Sequence, residues 1–293
     1  REGMNAGNAE TIIRRVAVAL DASLQSSQAM QAAAELAASL QAELEGIFIE
    51  DINLIRLAEL PFTREIRPAS MTEETFNVQR MEQELRSLAR QDQKKLELIA
   101  REKGISCSFR VRRGQIKTEL MEAVTEVDVL TLCRPDYVSE KFMRQTIGYT
   151  LRATAFPGQQ ARPSVSVIFG RAQNEKRVLM AAASLADRLD MDISVLVTGD
   201  SDAETDDLQR EANTILGSQA HRVNYIRLSG NQVSELVIAT AASNSRVLLV
   251  NSNNSLVTGG QLWHYLEQVS CPVLIVREQA ADRESPGTPS IPV

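Results

Sequence analysis

The sequence predicts an α/β protein built from two tandem domains, each a parallel sheet with helices on both faces. Three observations carry this expectation. The chain has 293 residues, which suits two compact domains. Short β-branched apolar runs alternate with stretches whose apolar residues recur at helical spacing. The pattern also repeats within the chain.

The repeat is direct. Ala33-Ala34-Glu35-Leu36-Ala37 followed by Leu40 matches Ala182-Ala183-Ser184-Leu185-Ala186 followed by Leu189, an offset of 149 from Leu36 to Leu185. The same offset carries Val16, Val18 and Asp21 onto Val165, Val167 and Gly170. Further on, the run from Phe109 to Gly114 matches Tyr225 to Gly230, an offset of 116 from Gly114 to Gly230. The fall of 33 gives copy one an insertion of about that length, from Asp51 to near Gln83.

The elements follow in order. Arg15 to Asp21 (RVAVALD) and Ser164 to Gly170 (SVSVIFG) read as first strands, each followed by a helix and a second apolar strand. A second helix comes next, then a strand closing on Gly114 or Gly230. Helices over Lys117 to Glu126 and Val233 to Ser243 lead into apolar strands, Val127 to Cys133 and Arg246 to Asn251. The strands are nearly continuous apolar runs because helices cover both faces. Copy two closes with Cys271-Pro272-Val273-Leu274-Ile275-Val276. Copy one offers only Ser164 to Phe169 for that place, and the repeat also assigns this run as copy two's first strand. One strand is therefore lost or shared at the junction. Pro157, Gly158 and Pro163 mark a connector, giving domains over 11–162 and 163–278, with 1–10 and the proline-bearing 279–293 as flexible tails.

Within the insertion, Asn53 to Pro68 reads as a loop, and Ser70-Met71-Thr72-Glu73 reads as a capping box opening a helix to about Lys103. A helix of about 30 residues would span roughly 45 Å, longer than the sheet needs. Its stripe of Val78, Met81, Leu85, Leu88, Leu96 and Ile99 suits core packing more simply than partner binding.

Composition excludes several classes. With 32 Lys+Arg against 38 Asp+Glu, the net charge of −6 gives a nucleic-acid backbone no general reason to bind. No apolar run approaches the roughly 20 residues that cross a bilayer, and no signal-peptide pattern opens the chain, so a cytoplasmic protein without membrane contact is expected. Three cysteines, Cys107, Cys133 and Cys271, form neither a disulfide framework nor a metal motif and read as small core residues. The two histidines, His221 and His264, stand without ligands at metal spacing. No Ser/His/Asp arrangement and no paired acid emerges, so no catalysis is expected.

Several short motifs now combine. Arg15-Val16-Ala17-Val18-Ala19-Leu20-Asp21-Ala22-Ser23, the strand from Gly46 to Asp51, the strand from Arg110 to Gly114, and Ser270 to Arg277 (SCPVLIVR) resemble, in order and spacing, universal stress protein domains. The chain is similar to a tandem member of that family. The resemblance implies an adenine-nucleotide-hydrolase-like (Rossmann-like) fold with strand order 3-2-1-4-5 in each domain. It also implies a nucleotide cleft over the carboxyl ends of the strands.

Members that bind ATP carry a Gly-x2-Gly-x9-Gly-Ser/Thr loop after strand four, in which glycines let backbone N–H groups approach phosphates. Both copies depart from it. In copy one, Gly148 fits the last glycine, but Pro135 and Val138 stand for the first two and Tyr149 for Ser/Thr. In copy two, Gly259-Gly260 remain, while Asn251 to Thr258 form a shortened loop without glycine. The base and ribose side is better kept in copy one, where Asp21 ends the first strand at the point where strand order reverses. Asp21 serves equally well as a cap of the helix starting near Gln25. Copy two has Gly170 there and is expected to be the structural half. The cleft that the resemblance implies comprises Asp21, Ala22, Asp51, Gly114, Arg134, Gly148 and Tyr149, with ATP or AMP as its ligand.

Two further groups have simple readings beside functional ones. Arg110, Arg112, Arg113 and Arg134 lie near strand ends and could face an anion, but alternation separates Arg112 from Arg113, which favours a solvated strand end. Asp200, Asp202, Glu204 and Glu211 match a calcium-loop spacing, yet Thr205 replaces the required glycine, and a helix first turn explains them better. Trp263 and His264 suit a partly buried helix face. The function expected is therefore a non-enzymatic stress-response protein acting through a protein partner or self-association. An adenine-nucleotide sensor using copy one is the alternative.

Overall fold

A computed structural model of the chain describes residues 13–20, 26–59, 64–66, 73–75, 78–132, 162–171, 175–199, 201–217, 222–229, 233–269 and 271–277. The N-terminal half opens with β1 (Arg15–Leu20), α1 (Ser26–Leu40), β2 (Glu43–Asp51) and α2 (Ile52–Ala58). A separate antiparallel hairpin follows, β3 (Arg64–Ile66) with β4 (Glu73–Thr75). Then come α3 (Val78–Lys103), β5 (Cys107–Gly114), α4 (Ile116–Glu126) and β6 (Val129–Leu132). The C-terminal half contributes β7 (Ser164–Phe169), α5 (Lys176–Leu189), β8 (Asp192–Thr198), α6 (Asp202–Leu216), β9 (Val223–Leu228) and α7 (Val233–Ala242). It closes with β10 (Ser245–Asn251), α8 (Ser255–Thr258), α9 (Leu262–Gln268) and β11 (Val273–Val276).

All the strands except β3 and β4 form one nine-stranded sheet in the order β5-β2-β1-β6-β11-β10-β7-β8-β9. This corrects the expectation of two separate parallel sheets. The C-terminal half has the order 3-2-1-4-5, read as β9-β8-β7-β10-β11, but the N-terminal half has only 3-2-1-4. The fifth place beside β6 is taken by β11 running antiparallel, while every other neighbouring pair is parallel. The run 164–169 belongs to the C-terminal half as β7, between β10 and β8. The physical reason is edge satisfaction. An apolar strand such as β6, buried along its whole length, cannot leave its backbone groups unpaired, and β11 supplies the partner.

The long helix also starts later than expected. Glu73–Thr75, placed by sequence in its first turn, runs extended as β4, and the helix begins at Val78. Thr72, Thr75 and Phe76 favour extended backbone, and a capping side chain is worth only about 1 kcal/mol against them. At 26 residues, α3 spans about 39 Å. Leu85, Leu96 and Ile99 of its stripe are buried, which is core packing. Leu96 and the Phe109 ring converge on Gly46, where a Cβ would stand 2.7 and 2.4 Å from their carbons, so β2 can pass beneath them only as glycine.

Two cores flank the sheet. Alanine-rich α1 and α5 pack together on one face, with α3 and α6 beside them. Helices α4, α7, α8 and α9 cover the other face, where the Lys117 ammonium sits 5.7 Å from the centre of the half-buried Trp263 ring. Cys271 is buried and Cys107 half-buried, as small core residues would be, and burial pushes the Cys271 thiol up to about 11. Cys133 lies outside the described residues.

The seam between β6 and β11 is pinned by Asp128, just before β6. Its Oδ2 accepts the Arg14 and Arg15 N–H groups at 2.9 and 3.1 Å. Its Oδ1 accepts Arg177 Nη2 at 2.9 Å and Arg277 Nη2 at 3.1 Å. Arg177, only 5% exposed, donates in turn to the Arg277 carbonyl at 2.7 Å. Burial pushes the Asp128 carboxyl up, but the Arg14 N–H, the Arg177 guanidinium and the Arg15 N–H outweigh it and hold it below its ordinary value.

Replacing Asp128 with Ala removes a carboxylate that holds the buried Arg177 and should cost about 3–5 kcal/mol, read from the urea midpoint. Because the folded carboxyl titrates below the unfolded one, its contribution is complete above the ordinary aspartate range and fades as pH falls through the depressed folded value. The stability gap between wild type and Asp128→Asn should therefore narrow in acid and be widest near neutrality. A gap that widens in acid would contradict this.

Candidate functional site

In an open parallel sheet the ligand crevice lies over the carboxyl ends of the strands where their order reverses. In the N-terminal half that point lies between β1 and β6. Of the residues the sequence places there, Asp21, Ala22, Arg134, Gly148 and Tyr149 lie outside the described residues. Asp51 and Gly114 are described and stand opposite each other at the ends of β2 and β5.

Asp51 is buried and caps α2, its Oδ1 accepting the Asn53 N–H at 2.9 Å. The chain turns from β2 straight into a helix at this residue, so a short acceptor is needed to take the first free N–H group. Gly114 gives room to Glu119: a Cβ there would sit 2.1 Å from Glu119 Oε1. Glu119 Oε2 in turn accepts Arg112 Nε at 2.6 Å.

The strand-end arginines are engaged within the protein. Arg112 spreads over Glu119, Glu122 and Glu126 at 2.6, 2.7 and 3.0 Å on the α4 face. Arg113 points to the other face and holds Glu50 at 2.7 Å and Glu82 at 3.0 Å. Arg110 joins Glu45 and Glu126 at 3.0 and 2.7 Å. Alternation separates Arg112 from Arg113, and both meet carboxylates of the chain itself, Arg112 mostly covered and Arg113 still partly in solvent. Burial pushes the Glu126 carboxyl up, but Arg110 and then Arg112 pull it lower overall.

The C-terminal crevice is described more fully, and its own groups fill it. The Gly170 N–H, at the place of Asp21, donates to the buried carboxylate of Glu175. A Cβ on Gly170 would stand 2.4 Å from Thr198 Oγ1. Beyond β10, where a phosphate loop would lie, the backbone bonds to itself. Asn251 Oδ1 accepts from Asn253, Asn254 Oδ1 from Leu256, and the Asn254 carbonyl from Val257 and Thr258. The N–H groups of Ser252, Asn254, Gly259 and Gly260 also reach chain carbonyls. Leu256 and Val257 are buried in the core beneath. Sequence reading missed Glu175; the signal available was an acidic residue at the start of a helix directly after a strand. Asn251 and Asn254, three apart in a turn-rich run, were visible as loop residues but not as caps.

Of the carboxylates at calcium-loop spacing, Asp200 lies outside the described residues, Asp202 and Glu204 fall in the first turn of α6, and Glu211 lies further along the same helix. Ser201 caps it through Glu204 N–H, and Asp202 and Glu204 occupy the first turn. Among the described residues no group of His, Cys, Asp and Glu could hold a metal ion. No described helix is long and apolar enough to cross a membrane.

No family model and no curated protein matches the sequence. Solved structures do. A universal stress protein from Archaeoglobus fulgidus DSM 4304 superimposes with a TM-score of 0.55 at 11% identity, over 90% of this chain and 97% of that one. The chain has the fold of a universal stress protein. A member of the universal stress protein family from Burkholderia pseudomallei, at 12% identity, aligns over 75% of this chain and 98% of its own with a TM-score of 0.26. A functionally unknown protein from Pseudomonas aeruginosa PAO1, at 11% identity, covers 92% of this chain and 95% of its own with a TM-score of 0.44. Within the universal stress protein fold, the C-terminal crevice is the half whose chemistry can be followed atom by atom.

Gly170→Asp would give the C-terminal half the aspartate that the N-terminal half carries. It should confer no ATP affinity by calorimetry, because Glu175 already holds the N–H and the new carboxylate meets Thr198 and a like charge. Crowding of this kind costs about 1–3 kcal/mol, so the variant should also melt several degrees lower.

Proposed function

We propose that this chain is a tandem universal stress protein that acts in the cytoplasm without catalysis, by binding another protein or a second copy of itself. One observation supports the reading: in the C-terminal crevice the Gly170 N–H is taken by Glu175, and the described N–H groups of the loop after β10 have partners within the chain. A phosphate needs free N–H groups at that place. In the N-terminal half the sequence supports the same reading, since Pro135 removes a donor and Val138 adds a side chain where glycines would admit phosphate. The described arginines that could have gripped an anion are neutralised by Glu50, Glu119, Glu122 and Glu126.

Self-association through the last strand, common in the family that the sequence resembles, has no free edge here, because β11 is paired on both sides. Any second copy must use another surface. The alternative of an ATP or AMP sensor rests on Asp21, and the same experiment separates the two. Calorimetric titration of nucleotide-stripped protein with ATP and AMP, with and without Mg²⁺, should give no binding heat up to millimolar nucleotide, and Asp21→Ala should behave like wild type. Micromolar binding at one site per chain, lost in Asp21→Ala, would overturn the proposal.

A further inference from the structure

The sheet ends at β5, and no described strand pairs with its outer edge. The Leu44 N–H donates to the Ser106 carbonyl, which sets the even-numbered residues of β5 toward β2. The backbone groups of Cys107, Phe109 and Val111 therefore point away from the sheet. Such an edge is a ready template for another strand.

On the α3 side of this edge lies a cavity of about 130 Å³. Ala89, Phe109 and Val111 form its apolar lining, and Arg86 and Arg90 reach it from α3. Val111 is 50% exposed, an unusual state for valine in a sheet this deeply covered. Among the described residues, Arg86 has Glu82 as its carboxylate partner, at 3.5 Å. Arg90, and Lys94 one turn further along α3, are exposed and have no carboxylate partner among the described residues. The one carboxylate in the lining, Glu50, is already held by Arg113 at 2.7 Å. A protein of net charge −6 thus presents Arg90 and Lys94, without a carboxylate partner among the described residues, and Arg86, held only at 3.5 Å by Glu82, beside an apolar slot and a strand edge that no described strand covers.

We propose that this groove receives an extended acidic segment of a partner protein, added as a strand to β5. One apolar side chain of the segment fills the slot between Phe109 and Val111, and its carboxylates meet Arg86, Arg90 and Lys94. A strand placed about 4.8 Å from β5 puts alternate side chains over this slot, and main-chain pairing supplies affinity while the pockets supply selectivity. A second copy of β5 suits this edge less, because the carboxylates beside its Arg110, Arg112 and Arg113 are already paired and leave none for Arg90 and Lys94. The inference rests on the reading that the protein acts through protein contact and names the chemistry of that contact.

The test is fluorescence anisotropy of the full chain with a fluorescein-labelled ten-residue peptide of alternating Glu and Val, against its Lys-Val counterpart. The Glu-Val peptide should bind saturably and the Lys-Val peptide should not. Arg86→Glu with Arg90→Glu should weaken binding at least about tenfold. Val111→Pro removes one outward N–H while sparing the β2 ladder and should weaken it similarly. Circular dichroism melts establish that each variant is folded, and the exposed arginine pair keeps the test valid if Val111→Pro does not fold. Absence of binding at millimolar protein, equal binding of both peptides, or indifference to the charge reversal overturns this surface. Nucleotide titration stays silent in those cases if the broader reading is right, so the two failures are distinguishable.

Discussion

Asp128 holds two arginines and two backbone N–H groups at the one place where the sheet reverses direction. Everything on either side depends on that reversal. The N-terminal half contributes four parallel strands and the C-terminal half five in the matching order, and the antiparallel contact of β6 with β11 joins them into one continuous sheet. The carboxylate comes from the N-terminal half and the guanidinium groups of Arg177 and Arg277 from the C-terminal half, so these ion pairs tie the two halves together. The alanine-rich contact of α1 with α5 lies across the same seam, and Glu35 bridges it by pairing with Arg188 at 3.1 Å.

The fold was legible where the signal was periodic. β1 and β7 begin at Arg15 and Ser164, the positions that the longer offset relates, and β5 and β9 begin at Cys107 and Val223, as the shorter offset requires. What the sequence could not show was pairing between distant segments. The apolar run of β11 reads the same whether it runs along or against its neighbour, and only the three-dimensional edge decides. The start of α3 was misplaced for a related reason: a capping pattern at Ser70 is a local preference, and extended pairing of Arg64–Ile66 with Glu73–Thr75 overrode it.

The candidate site was legible in a different way. The missing glycines of the phosphate loops were plain in the sequence, but the groups that replace them were not. Glu175 acts through a carboxylate folded back onto Gly170, and Asn254 through two acceptors used at once, and neither action has a sequence period. The strand-end arginines show the converse. They read as candidates for an anion, and the structure gives Arg110, Arg112 and Arg113 carboxylates of the chain because α3 and α4 bring acidic side chains over β5 from opposite faces.

The position of β11 has a consequence for biogenesis. The last described strand lies in the middle of the sheet, between β6 and β10, rather than at its rim. While the polypeptide is still being made, β6 has been synthesised but its final neighbour has not, so one long side of the N-terminal half stays open until Val276 leaves the ribosome. The nascent protein therefore carries a sticky border from the completion of β6 at Leu132 to that of β11 at Val276, about half of its length. A truncated product would keep it permanently.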